Sequence, residues 1–276
     1  IQEKESNGKG ISVSFQDITV SYRSVKGEPK KIYEHLNLDL YKGEKIALIG
    51  SNGAGKSTLM KLMTGLVKPN EGEIYLKDIL VGDTKPERLS RYLSMVYQNP
   101  EDMFIMDSIE ADIAYAMKVR DVEDWQERTS GLLERFRLTD IKDHDGRLLS
   151  GGQMRRASLA IGVALCPEIL LLDEPTANLD IATRKEIMKT LKDIEDVTDT
   201  VMIATHDMQL VSEWAERIIV LDQGKVIADG SRNEVFGNKK VVEKAGIRPP
   251  EIFSMGKALH EDAFCYTVEE FLQSFV

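Results

Sequence analysis

The run KIALIGSNGAGKSTLM, residues 45–60, passes from an unbroken apolar segment through a glycine-rich turn into a helical pattern. An apolar run with no alternation suits a strand covered on both faces, as in a parallel sheet. The turn, Gly50 through Ser57, fits G-x-x-x-x-G-K-[ST] at every fixed position, after a strand and opening a helix as that pattern requires. Glycines let the backbone N–H groups from Ser51, Asn52, Gly53, Ala54 and Gly55 curl around an anion, and Lys56 adds a point charge. Ser57 offers a hydroxyl to Mg²⁺, with Thr58 beside it in the first helical turn. The reading is a cradle for the β- and γ-phosphates of a nucleotide.

The surrounding segments extend this unit in both directions. Residues 11–22, ISVSFQDITVSY, alternate in a β manner and read as one or two strands. A helix is expected from Lys56 to Leu66, then a strand at GEIYL, and two helical segments within 106–137 split near Asp121–Glu123. EILLLDEP (168–175) and TVMIATHD (200–207) read as further buried strands, with a helix over 181–195 between them. RIIVLDQGKVIADG (217–230) reads as a hairpin turning at Gln223–Gly224. Apolar strands alternating with helices predict an α/β fold: a P-loop NTPase core with a mostly parallel sheet, antiparallel strands at the N-terminal side, and a helical subdomain. Region 70–150 is expected to be mostly helical, and residues 231–276 a short mixed tail.

Composition narrows the partners. The chain has 276 residues, is 42% hydrophobic and carries a formal net charge of −10, enough length for one large domain or one with a small appendage. An acidic chain does not neutralise a nucleic-acid backbone, so none is expected as partner. Cys166 and Cys265 lie far apart without metal or redox spacing, Cys166 is expected to be buried in its apolar run, and a reducing compartment suits both. No apolar run is long enough to span a bilayer and no secretion signal is found, so any membrane role is expected to come through a partner. The chain begins with Ile1 and is expected to be trimmed or part of a longer polypeptide.

A second anion cradle lies downstream, in GRLLSGGQMRRASLAI (146–161). Ser150 and Gln153 have capping-box spacing, so a helix is expected to start near Gly152, with its dipole and free N–H groups at the tip. Gly151 and Gly152 keep that tip clear of side chains. The face Met154, Ala157, Ile161, Ala164 and Leu165 is expected to point inward, with Arg155 and Arg156 off it.

Acid–base groups end the other strands. Asp173 and Glu174 are adjacent carboxylates at a strand end, costly to bury without a cation or proton partner. The division expected is Asp173 to Mg²⁺ and Glu174 as the base orienting a water. His206, after a third apolar strand, is read as polarising the γ-phosphate. Gln98 in MVYQNP and Tyr22 are weaker signals alone, Tyr22 as an aromatic face for adenine.

GSNGAGKS, YQNP, LSGGQ, LLLDEP, ANLD and ATHD occur in an order that resembles the ATP-binding-cassette ATPases, over about residues 10–235. The resemblance implies a cassette at 10–235, with a helical and signature subdomain near 90–165, and a short extension at 236–276. It implies ATP and Mg²⁺ as cofactors and a head-to-tail dimer in which Ser150–Gln153 caps the phosphate of the other subunit. It also makes Gln98 the loop sensing Mg²⁺ and a membrane partner, Asp180 a residue acting across the dimer, and Tyr22 the adenine stack. The second subunit is expected to be the same or a different cassette, or one fused in a single polypeptide.

Three classes remain in view: the energising subunit of a membrane importer, a soluble cassette of repair or translation, and a non-cassette P-loop enzyme such as a kinase. The complete signature disfavours the last. Absence of a long heptad insertion and of a second cassette disfavours the soluble kinds, although another importer class remains an alternative. QNPEDMF, SIEADIAYAM and the tail AGIRPPEIFSMGKAL are similar to the energy-coupling-factor group that takes up vitamins and cobalt, with Met103 where a polar residue often stands. That likeness implies a transmembrane coupling subunit, a separate substrate-binding membrane subunit, and a peripheral position at the cytoplasmic face of the membrane. Phe104, Ile105 and Ile109, rimmed by Glu101, Asp102, Glu110 and Asp112, are expected to form the docking patch.

Overall fold

The computed structural model describes residues 10–22, 29–261 and 263–275; Ile1 lies outside them. Its strands are β1 (Ile11–Tyr22), β2 (Lys30–Tyr41), β3 (Lys45–Gly50), β4 (Glu71–Leu76), β5 (Ile79–Leu80), β6 (Leu93–Val96), β7 (Ile169–Asp173), β8 (Thr200–Ala204), β9 (Arg217–Asp222) and β10 (Lys225–Gly230). Its α-helices are α1 (Lys56–Met63), α2 (Pro86–Leu89), α3 (Ile109–Val119), α4 (Trp125–Arg135), α5 (Gly151–Val163), α6 (Ile181–Glu195), α7 (Met208–Trp214), α8 (Arg232–Phe236), α9 (Lys239–Ala245), α10 (Glu251–Leu259) and α11 (Val268–Phe275). The described residues fall into two compact units, one running up to Asp83 and from Ala204 onward, the other covering residues 84–203.

The first unit holds the antiparallel sheet β2-β1-β4-β5 and the strands β10-β9-β3, in which β3 and β9 run parallel. Every residue of β3 from Ile46 to Gly50 is buried, which is why the segment reads as an unbroken apolar run. Helix α1 stops at Met63 rather than Leu66, because Gly65 turns left-handed at φ 71°. Strand β2 is missed by the sequence reading. It alternates inward at Leu36, Leu38 and Leu40, but His35 takes φ 56°, and the break in phase hides Tyr33, which is also buried. Arg217 ties the unit together: Nη1 donates to Glu44, Nε to Asp229 Oδ1 at 2.7 Å and Nη2 to the Asp39 carbonyl.

In the second unit β8, β7 and β6 are neighbours, with β6 and β7 parallel. Helices α3 and α4 fall within 106–137 and part at residues 120–124, and α6 covers 181–195 as the periodicity predicts. The strand expected at GEIYL is β4, and the expectation of a mostly helical 70–150 is corrected further along: β5 and β6 also lie there, and strands of two and four residues carry too little alternation to stand out. Cys166 is corrected as well. It is exposed, at φ 49°, on the turn where α5 gives way to β7. Residues 231–276 form α8 to α11, with Phe236, Phe253 and Tyr266 meeting ring to ring, Phe253 and Tyr266 at 5.6 Å.

Candidate functional site

Gly50–Thr58, Tyr22 and His206 belong to the first unit; Gln98, Ser150–Gln153, Asp173, Glu174 and Asp180 belong to the second. The glycine loop follows β3 and opens α1. Gly53 and Gly55 take φ 81° and 113°, values that L side chains rarely adopt. A Cβ at Gly55 would lie 2.5 Å from the Tyr33 hydroxyl, whereas one at Gly53 would meet nothing closer than Lys30 Nζ at 4.0 Å. Gly55 is therefore demanded by packing, and Gly53 leaves the mouth of the loop open. Gly55 stands at the N-cap of α1 and makes no side-chain capping bond, and a helix N-terminus favours an anion.

Lys56 is buried within the loop, where Nζ donates to the Gly50 carbonyl at 2.7 Å. The same ammonium lies 3.0 Å from His206 Nε2. An ammonium has only donors, so His206 Nε2 is the acceptor of this contact. His206 is held there from both sides: Thr205 N–H donates to the Leu48 carbonyl of β3 at 3.2 Å, and Asp207 caps α7 through the Leu210 N–H. Tyr22 keeps an exposed ring, and its hydroxyl stands 3.4 Å from Thr58 Oγ1.

In the second unit β7 ends at Asp173, which is buried, and Glu174 follows at φ 48°. A non-glycine residue held left-handed costs about 1–3 kcal/mol and persists where the surroundings enforce it. Gln98 is exposed on the loop after β6. Its carbonyl accepts from Arg155 Nη2 at 2.7 Å, and the Tyr97 carbonyl accepts from Nη1 at 3.0 Å. Arg155 is thus buried, not off the inward face as the spacing predicts. Its guanidinium reaches the end of β6, and helical periodicity cannot register a charge that is paid for by loop carbonyls. Burial pushes its pKa down to about 10, against the favourable charge of Asp173.

Helix α5 starts at Gly151 with the full capping box: Gln153 N–H donates to Ser150 Oγ, and Ser150 N–H donates to Gln153 Oε1 at 3.1 Å. Its tip borders a concavity of about 430 Å³ shared with Arg156, Asp180 and Thr183. A Cβ on Gly152 would sit 2.6 Å from Thr183 Cγ2, so α5 and α6 require that glycine. A Cβ on Gly151 would reach nothing nearer than Leu179 at 3.9 Å; packing does not ask for it, and it keeps the helix tip clear. Asp180 caps α6, accepting from Ala182 N–H, Thr183 N–H and the Thr183 hydroxyl at 2.6 Å, and this last bond holds its carboxyl below the usual range.

The expected docking patch does not form as predicted. Phe104 is buried with its ring against Gly146, where a Cβ would lie 2.3 Å from Cδ1, and Ile109 is buried too. Asp112 is buried rather than on a rim. Its Oδ1 accepts the N–H groups of Ile105 and Met106, both at 2.8 Å, and burial pushes its carboxyl up. Glu110 pairs with Lys142 at 3.2 Å. Only Ile105, Glu101 and Asp102 stay exposed. Exposed Leu148 was not foreseen; it lies on the loop that Arg147 ties to the Met106 carbonyl.

A phosphate loop, a lysine–histidine pair, a carboxylate pair and a capped glycine helix tip in one chain define a nucleotide-hydrolysing cassette. A family model described as ABC transporter matches residues 33–177. The chain is 32% identical over 273 residues to the energy-coupling factor transporter ATP-binding protein EcfA1 of Caldanaerobacter subterraneus subsp. tengcongensis, covering 95% of this chain and 97% of the relative. It is 33% identical to EcfA2 of Clostridium tetani, with 94% of each covered. Among solved structures, cbiO1 from Clostridium perfringens, part of the ABC transporter complex cbiONQ, superposes with a TM-score of 0.72 at 29% identity, over 88% of this chain and 97% of that one. The cassette MJ0796, in a dimeric post-hydrolysis state bound to ADP and Pi, gives 0.70 at 28% identity over 79% and 98%. The chain belongs to the ABC transporter family of ATP-binding subunits. Among the described residues no helix is long and apolar enough to cross a membrane.

Proposed function

We propose that this chain binds and hydrolyses ATP to power a membrane importer of the energy-coupling-factor kind, carrying a vitamin or a transition-metal ion. The observation that carries the reading is the loop itself: glycines in left-handed conformations, an uncapped helix start, and Lys56 and His206 held 3.0 Å apart at its mouth. Lys56 turns from Gly50 and His206 to the β- and γ-phosphates when they enter, and the released His206 faces the γ-phosphate. Tyr22 offers its exposed ring to adenine.

The residues fit a magnesium nucleotide. Among the described residues no group of three or more His, Cys, Asp and Glu could hold a metal. Mg²⁺ needs no such cage, since it keeps several waters and is bound through one or two carboxylates together with the phosphates. Ser57, buried Asp173 and Gln98 would hold it, and it would neutralise charge growing on the phosphate oxygens. Glu174 orients the attacking water and takes its proton.

Ser150–Gln153 and Asp180 serve the nucleotide of a second cassette, the same chain or a different one, packed head to tail. The open Gly151 position supports this reading, as an anion at the tip gains the helix dipole. A coupling subunit in the membrane binds near Ile105 and Leu148, which places the cassette at the cytoplasmic face, with a further membrane subunit choosing the cargo.

Glu174→Gln tests the reaction. Turnover is expected to fall about 10²–10⁴-fold while ATP binding persists and the ATP-bound dimer accumulates. Steady-state hydrolysis retained by this variant refutes the assignment.

A further inference from the structure

Arg155 has no part in the roles described so far, yet its placement is unusual for an arginine. It is buried, and its Nη groups donate to two successive carbonyls of the Gln98 loop. Its Nε is buried without a hydrogen-bond partner among the described residues. Asp173 supplies the compensating charge, through space, at the end of β7. A buried guanidinium spent on loop carbonyls is an expensive staple where an apolar side chain could have packed. The helix it sits on is pinned to the same strand. Gly162, seven residues on and so on the same face, lies against Val96, where a Cβ would be 2.5 Å from Cγ2. Helix α5 therefore lies along β6, and Arg155 grips the chain just where β6 becomes the Gln98 loop. The capped tip, Ser150–Gln153, is less than one and a half turns away on that helix.

We propose that Arg155 is a positioning residue that holds the Gln98 loop to the signature helix, so that the helix tip and the Gln98 side chain move as one piece. The inference rests on the functional reading above for what Gln98 does, but the grip itself does not. A shift of α5 on meeting an anion carries the Tyr97 and Gln98 carbonyls with it. Loss of the grip leaves Gln98 present but poorly placed.

The test uses the full chain with Arg155→Met, which keeps length and removes the donors, and Arg155→Lys, which keeps charge and some donors. Amide hydrogen exchange over residues 97–102, measured without nucleotide, is expected to accelerate about tenfold or more in Arg155→Met, with α6 unaffected. The turnover number is expected to fall about tenfold while KM for ATP stays within about twofold, and the Mg²⁺ midpoint to rise about threefold. Arg155→Lys should recover part of both effects. Adding Gln98→Ala to Arg155→Met should cost less than the product of the single losses, because the glutamine is already misplaced. Unchanged exchange at 97–102, or single losses that multiply, overturns the proposal. If Arg155→Met does not fold, Arg155→Lys decides: a folded chain whose 97–102 amides exchange faster and whose Mg²⁺ midpoint is raised supports the proposal, and one with wild-type exchange and Mg²⁺ dependence overturns it. A wild-type chain that turns over no ATP refutes the functional reading instead, while exchange still decides the grip.

Discussion

Tyr33 props the phosphate loop from beneath, and removing its hydroxyl isolates one bond. The side chain is buried on β2, and its hydroxyl donates to the Gly55 carbonyl at 2.7 Å. In Tyr33→Phe that carbonyl is not orphaned, because the Leu59 N–H of α1 still donates to it at 2.9 Å. The cost is then the net worth of one neutral hydrogen bond, about 0.5–1.5 kcal/mol, and not the roughly 1–3 kcal/mol of an unsatisfied buried group. The loop also keeps its tether at Ala54, whose carbonyl accepts from the Gly224 N–H at 3.3 Å. Nucleotide affinity is expected to fall by about tenfold at most, since about 1.4 kcal/mol is tenfold. The assay is chemical unfolding without nucleotide, paired with titration of a fluorescent ATP analogue.

The same residue adds an alkaline signature. Burial raises the Tyr33 pKa above its ordinary value of 10.0. Above pH 10 the unfolded chain has released this proton and the folded chain has not. The unfolded state then binds fewer protons, and stability falls with rising pH by up to about 1.4 kcal/mol per unit. Tyr33→Phe removes this contribution, so its stability relative to wild type should improve as pH rises past 10. Tyr266, also shifted upward by burial, is common to both chains and cancels. A variant as stable as wild type at pH 7, or one whose difference from wild type does not change above pH 10, refutes the reasoning.

Gly152→Ala should destabilise by about 1–3 kcal/mol through its 2.6 Å approach to Thr183 Cγ2, and Thr183→Ser should restore much of this in thermal unfolding because it deletes that methyl. Asp112→Ala should cost about 1–3 kcal/mol by stranding the Ile105 and Met106 N–H groups, whereas Asp112→Asn keeps the acceptor and should stay within about 1 kcal/mol of wild type. Equal losses for the two Asp112 variants in denaturant titrations would mean that the charge, not the acceptor, matters there. Mixing Lys56→Ala with Ser150→Arg chains should give more ATPase activity than either alone, since one composite site is spared; activity no higher than in the separate variants counts against a shared site.

Local chemistry carried much of this molecule into its sequence. The turn between β3 and α1 needs particular residue types at contiguous positions, so a glycine-rich turn opening a helix at Gly50 to Ser57 could be read without knowing what packs around it. Ser150 with Gln153 is a bond across three residues, and the capping box appears as spaced. The apolar runs of β3 and β7 and the helix at 181–195 follow from burial on both faces and from a 3.6-residue period. Where the sequence misled, the deciding partner lay far along the chain. Phe104 is buried because Gly146 gives its ring a floor, and Asp112 turns inward because two loop N–H groups need an acceptor. Cys166 faces solvent because the turn after α5 points it out. Arg155 is the clearest case. Periodicity assigns a charged residue to the outside, and only the course of the Gln98 loop, 57 residues earlier, shows which carbonyls bring it in. Short-range geometry can be written in neighbouring residue types, but a side chain satisfied by distant backbone leaves no pattern at its own position.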